Sequence, residues 1–96
     1  MITITVRYHN VLRSAAGVVE EAVSVPADAS LQHVLARLGE LHGPSLGSML
    51  FEPEGSLVSH LVVFRNRKLV PSTQDQAAQR LVDGDELMLF PAVSGG

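Results

Sequence analysis

A two-layer α+β domain, with one main helix packed on a mixed sheet, is predicted by three patterns in the chain. Residues 2–8 alternate Ile2, Ile4, Val6 and Tyr8 with Thr3, Thr5 and Arg7, which is the period of a half-buried strand. Leu31, Val34, Leu35 and Leu38 recur at helical spacing behind a Ser30 cap. Asp83-Gly84-Asp85 then turns into a closing apolar strand, Glu86-Leu87-Met88-Leu89-Phe90.

Composition sets the outer bounds. The chain has 96 residues, enough for one domain with a single core. Its 46% hydrophobic content supports a folded globule. With 3 Phe and 1 Tyr, the core must be built mostly from Leu and Val. Cysteine is absent, which excludes disulfides, thiol nucleophiles and thiolate metal sites. The net charge of -3, without a basic run, argues against a nucleic-acid partner. No apolar stretch reaches spanning length and Met1 opens no signal-peptide pattern, so the expectation is a cytoplasmic protein without a membrane partner.

In chain order, the Ile face of the first strand is expected to be core and its Thr/Arg face open. Residues 9–17 read as a connection closed by Gly17. Residues 18–25 read as a second strand with Val23 and Val25 inward and Glu21 as an exception, pairing with the first as an antiparallel hairpin. Pro26-Ala27-Asp28-Ala29-Ser30 leads into the helix, with Ser30 as N-cap and Asp28 as its rival. Gly43-Pro44 ends that helix, and residues 46–51 add another helical turn. After a loop over residues 52–56, Leu61-Val62-Val63-Phe64 forms a third strand. Arg65-Asn66-Arg67-Lys68 makes a tight turn, and Leu69-Val70 a short fourth strand. Residues 74–81 read as a short helix or 3₁₀ segment. The last strand most simply lies parallel beside the first at the sheet centre, which makes the domain a β-grasp, or ubiquitin-like, fold.

The closing strand carries the functional signal. With Leu87 and Leu89 facing the helix, Met88 and Phe90 must face away, on the side of Arg7 and Thr5. Single exposed apolar residues are ordinary, and a loop could cover these. Their place just before the tail favours a partner interface instead, anchored by Phe90 and extended by Met88, Leu69 and Arg7. Pro91 stops the strand, and Ala92-Val93-Ser94-Gly95-Gly96 follows. A Gly-Gly end costs more entropy to order than any other, so it adds nothing to stability. Without Cβ atoms it suits entry into a narrow active site of another protein, with the Gly96 carboxylate as the reactive group. Residues 1–90 are therefore expected to be the domain and residues 91–96 a flexible tail.

Asp83-Gly84-Asp85-Glu86-Leu87 and Phe90-Pro91-Ala92-Val93-Ser94-Gly95-Gly96 resemble the DGDEV and PPVSGG or PAVSGG signatures of the small ubiquitin-like sulfur carriers of the MoaD/ThiS family. Leu12-Arg13 followed by Ala15-Ala16-Gly17 is similar to that family's LREAAG stretch. The resemblance covers essentially the whole chain in element order. The chain departs from it at Ala92, where a second proline is common, at Arg65-Asn66-Arg67, where many members read Val-Asn-Gly, and in a longer insert over residues 52–60.

The resemblance implies a mechanism. An E1-like adenylyltransferase (MoeB/ThiF-like) would join Gly96 to AMP using ATP. A sulfur donor would convert the acyl-adenylate to a thiocarboxylate. Val93, Ser94, Gly95 and Gly96 would enter the active site of a sulfur-accepting partner, such as the large subunit of molybdopterin synthase or a cysteine synthase. The pathway would be molybdenum cofactor biosynthesis, or a related one serving cysteine or thiamin. The chain itself would be no enzyme and would hold no permanent cofactor and no metal. The alternatives are a ubiquitin-like modifier conjugated to lysines through Gly96, and a β-grasp interaction module with an idle tail. Asp83 and Asp85 read as turn formers and not as an acid–base pair. His9, His33, His42 and His60 are scattered, and read as surface residues and not as zinc ligands.

Overall fold

A computed structural model describes residues 1–55, 58, 61–70 and 79–91. Its elements are β1 (Ile2–Tyr8), α1 (Val11–Ala16), β2 (Glu20–Val25), α2 (Leu31–His42), α3 (Pro44–Leu50), β3 (Val62–Arg65), β4 (Lys68–Val70) and β5 (Glu86–Phe90). The sheet order is β2-β1-β5-β3-β4. The closing strand is central, parallel to β1 and antiparallel to β3, with Val6 opposite Leu87 and Val63 opposite Leu89. The first two strands form the expected antiparallel hairpin, Ile4 opposite Val23.

Alternation along each strand decides the two faces. Ile4, Val6 and Tyr8 of β1, Val23 and Val25 of β2, Val63 of β3 and Leu87 and Leu89 of β5 are buried. They share one core with Leu31, Val34, Leu35 and Leu38 of α2 and with Leu46 and Leu50 of α3. This is the two-layer β-grasp arrangement that the hydrophobic spacing called for. Ser30 is the N-cap, its hydroxyl accepting the His33 N–H at 3.3 Å. Gly43 follows α2 and Pro44 opens α3, which runs longer than the single turn expected there.

Several local expectations need correction. Residues 9–17 contain α1, a six-residue helix from Val11 to Ala16. Its end is set by Gly17 at φ 79, whose N–H returns to the Arg13 carbonyl. Only Leu12 and Ala16 of α1 are buried, too few for a visible period. The second strand starts at Glu20, leaving Val18 and Val19 exposed in the connection. The third strand is offset by one residue, covering Val62–Arg65. Of the helix expected over residues 74–81, residues 74–78 lie outside the described residues. Leu81 is buried in an extended segment, its N–H donated to the Ala29 carbonyl, beside a bridge between Arg80 and Ser30.

Leu89, central in the sheet and fully buried, and Leu69, 61% exposed on the short edge strand, give a direct test of this layering. Leu89→Ala is expected to lower unfolding free energy by about 3 kcal/mol, through lost transfer energy and a residual cavity. Leu69→Ala is expected to change it by no more than about 0.5 kcal/mol. Urea denaturation of the two variants measures both.

Candidate functional site

The central strand ends at Phe90, and its outward residues share one open face of the sheet. Register places Arg7, Met88, Phe64 and Leu69 in one row across β1, β5, β3 and β4. Val62 and Phe90 form the next row. Arg7, Phe64, Arg67, Met88 and Phe90 line a concavity of about 400 Å³. Phe90 meets Phe64 edge-on, with ring centroids 5.5 Å apart, and stacks on His9 at 4.2 Å with the planes 7° from parallel. Three aromatic rings therefore form a row beside the strand end, and offset-stacked and edge-on packing hold it. The four residues expected at an interface, Arg7, Leu69, Met88 and Phe90, thus share one face. His9 and Phe64 belong to the same patch. The period-2 pattern of β1, continued past Tyr8, places His9 on the side of Arg7.

A charged ladder borders this apolar row. The Arg7 guanidinium contacts Glu20 at 2.9 Å and Glu86 at 3.4 Å, and Arg67 lies 3.9 Å from Glu86. These pairs are open to solvent on at least one side and stabilise weakly. Their main effect is to fix where positive charge stands around the concavity.

The turn before β5 is held from inside. Asp85 is 3% exposed. Its carboxylate accepts the Val82 N–H at 2.8 Å and Asn66 Nδ2 at 2.9 Å. It also accepts Arg65 Nη2 at 2.8 Å and Arg65 Nε at 3.0 Å. Burial alone would raise its pKa, but the Val82 N–H, the Asn66 amide and the Arg65 guanidinium outweigh that and hold the carboxyl below the usual range. Asn66 continues the link, because its Oδ1 accepts the Glu86 N–H at 2.9 Å. The β3–β4 turn is thereby fastened to the entry of the last strand. Asp83 acts as the expected turn former, its Oδ1 accepting the Thr3 N–H at 2.7 Å. Gly84, at φ 90, supplies the conformation the turn needs.

Two of the histidines differ from the surface placement expected of them. His42 packs edge-on to Tyr8 and meets the Glu21 carboxylate through Nε2. Tyr8 donates its hydroxyl to the same carboxylate at 2.5 Å. Burial, with Glu21 beside it, pushes the Tyr8 phenol pKa up. Glu21 is therefore the polar end of the inward face of β2, explaining its break in the apolar pattern. His9 stacks on Phe90, His33 is exposed, and His60 lies outside the described residues. Among the described residues no group of histidine and acidic side chains is placed to hold a metal. No helix among them is long and apolar enough to cross a membrane. Pro91 leaves the sheet directly after Phe90, while Val93, Ser94, Gly95 and Gly96 lie outside the described residues. A larger groove of about 800 Å³ lies on the helical layer, between α2 and α3, away from the strand end.

This fold and strand end define a ubiquitin-like β-grasp protein of the carrier and modifier type. The chain belongs to the ThiS family, whose model matches residues 6–96. It is 39% identical over 85 residues to small archaeal modifier protein 1 of Haloferax volcanii, a match covering 88% of this chain and 91% of the relative. The crystal structure of that modifier superposes with a TM-score of 0.84 at 30% identity, over 97% of this chain and 100% of the other. A chain of the Amycolatopsis orientalis BexX/CysO complex superposes with a TM-score of 0.71 at 26% identity, over 97% of this chain and 99% of the other.

The Asp85 anchor gives a pH prediction. Its carboxyl is held below the usual value, so the folded state binds fewer protons than the unfolded one in acid. The stability it contributes is complete above about pH 4 and is lost as pH falls through the folded value. Asp85→Asn is expected to cost about 2 kcal/mol at neutral pH, with a shallower acid limb than the parent chain. Chemical denaturation from neutral pH down into the acid range reads both.

Proposed function

We propose that this chain is a sulfur carrier whose Gly96 carboxylate is activated by an E1-like adenylyltransferase. The observation that carries the proposal is the pairing of an apolar open face with the tail. Met88 and Phe90 project from the central strand immediately before a segment, ending in Gly96, that the family model spans. Phe90 anchors the partner, Met88, Leu69 and Arg7 extend the contact, and Val93, Ser94, Gly95 and Gly96 enter the partner's active site.

The chemistry follows from the poor reactivity of a carboxylate. Its oxygen attacks the α-phosphorus of ATP, pyrophosphate leaves, and an acyl-adenylate forms at Gly96. Sulfide (HS⁻) from a sulfur donor then attacks the acyl carbon and AMP leaves, so that Gly96 carries a thiocarboxylate. That sulfur is passed to a metabolite within an accepting enzyme. ATP is the activating partner's cosubstrate and this chain has no cofactor of its own. It supplies a docking face and a reactive end, while the partners supply acid–base groups. Membership of the ThiS family and likeness to a chain of the BexX/CysO complex support a carrier that works docked on partner enzymes. The accepting pathway is molybdopterin synthesis, or a related route such as cysteine or thiamin synthesis.

A second reading is favoured by one observation, the 39% identity to a protein named as a modifier. Here a lysine amine attacks the same acyl carbon, AMP leaves, and Gly96 joins a target protein by an isopeptide bond. Both readings need the same activation.

Deleting Gly96 is expected to abolish ATP–pyrophosphate exchange by the cognate adenylyltransferase while the thermal midpoint is unchanged. Phe90→Asp is expected to raise the KM for this chain by about tenfold or more, with unfolding still cooperative. Exchange that survives deletion of Gly96 rejects activation at the terminus and leaves a β-grasp interaction module with an idle tail. An unchanged KM removes Phe90 from the interface.

A further inference from the structure

We infer that Met88 is a reversible oxidation site that governs docking on the open sheet face, an inference that rests on the activation of Gly96 proposed above. The three methionines stand in different surroundings. Met1 is 86% exposed at the start of the chain, and Met49 packs against the core. Met88 alone lines the concavity with Phe64, Phe90, Arg7 and Arg67. It is half-buried, on the strand that leads into the tail.

The side chain is chemically suited to this role. A thioether is polarizable and flexible, and packs well against aromatic rings. Its lone pair attacks the O–O bond of hydrogen peroxide. One oxygen is transferred to sulfur, the other leaves as water, and the sulfur is oxidised by two electrons while the peroxide is reduced. The apolar group becomes a polar, chiral sulfoxide, which methionine sulfoxide reductases convert back.

The surroundings favour the oxidised form staying where it is made. The sulfoxide oxygen is a hydrogen-bond acceptor, and two arginines, Arg7 and Arg67, line the same concavity. Both ion pairs of Arg7 run through Nε, and a guanidinium has five N–H donors. A sulfoxide at Met88 therefore has local donors, and occupies with a polar group the space where an apolar partner side chain would sit. Leu87 and Leu89, on either side of it, face the core, so the chemistry changes the docking face while the core stays intact.

The test treats the full chain with hydrogen peroxide, maps each methionine by peptide mass, and measures its adenylation by the activating partner. Oxidation of Met88, a gain of about 16 Da, is expected to raise the KM about tenfold, and sulfoxide reductase is expected to restore it. Each variant is compared with itself before and after treatment. The treated-to-untreated ratio is expected to fall to about one in Met88→Leu and to stay near ten in Met49→Leu. Met88 remaining reduced while Met1 is converted would overturn the inference. So would an unchanged KM on the Met88-oxidised chain, or peroxide sensitivity that survives in Met88→Leu. Failure of the untreated chain to be adenylated at all would refute the underlying reading, and this inference with it.

Discussion

The parallel pairing of β5 with β1 is the constraint on which the rest depends. It places β5 between the first and the third strands, with neighbours on both sides. A strand held on both edges is fixed in register, and register decides which side chains face in. Leu87 and Leu89 are thereby committed to the core, and Met88 and Phe90 to the open face. The same pairing delivers the chain to Pro91 from an interior strand of the sheet. Asp85 reinforces it at the entry, where one buried carboxylate gathers donors from Arg65, Asn66 and Val82. In the proposed function a fixed strand end matters, because a partner that binds the domain is then directed to the residues that follow Pro91.

Much of this was legible in the sequence because the relevant signals are local and periodic. The alternation of β1, the Leu31–Val34–Leu35–Leu38 stripe and the Ser30 cap each lie within one element. The strand period alone turns Met88 and Phe90 outward once Leu87 and Leu89 face the helix. What escaped the sequence depends on residues distant in the chain or on elements too short to repeat. Helix α1 buries two side chains, and its preceding residue, Asn10, makes no side-chain capping bond. The burial of Asp85 could not be seen in an Asp-Gly-Asp string, which reads as a turn, because its partners Arg65 and Asn66 lie about twenty residues earlier. Glu21 had one usable signal, a carboxylate interrupting an apolar strand face. Its partners Tyr8 and His42 emerge only when β1 and the end of α2 come together.

The β3–β4 turn shows how tertiary contacts settle a locally unfavourable choice. Asn66 and Arg67 adopt φ 51 and φ 69, the left-handed pair of a two-residue hairpin. Asparagine accepts this readily, while arginine in place of the usual glycine does so at some cost. The compensation is visible around it. Asn66 bonds Asp85 and Glu86, and Arg67 lines the concavity with Phe64 and Met88 and lies 3.9 Å from Glu86. A position that is strained locally contributes its charge to the open face beside the end of β5.

In the proposed function the domain is a holder and the Gly96 terminus is the chemical group. The most direct test is the intact mass and tandem fragmentation of the chain after incubation with its adenylyltransferase, ATP and a sulfur donor. Replacement of one oxygen by sulfur adds about 16 Da, which methionine oxidation mimics, so fragment ions must place the change. The account predicts a thiocarboxylate at Gly96. A Gly96 that remains an ordinary carboxylate beside a demonstrably active partner would contradict it.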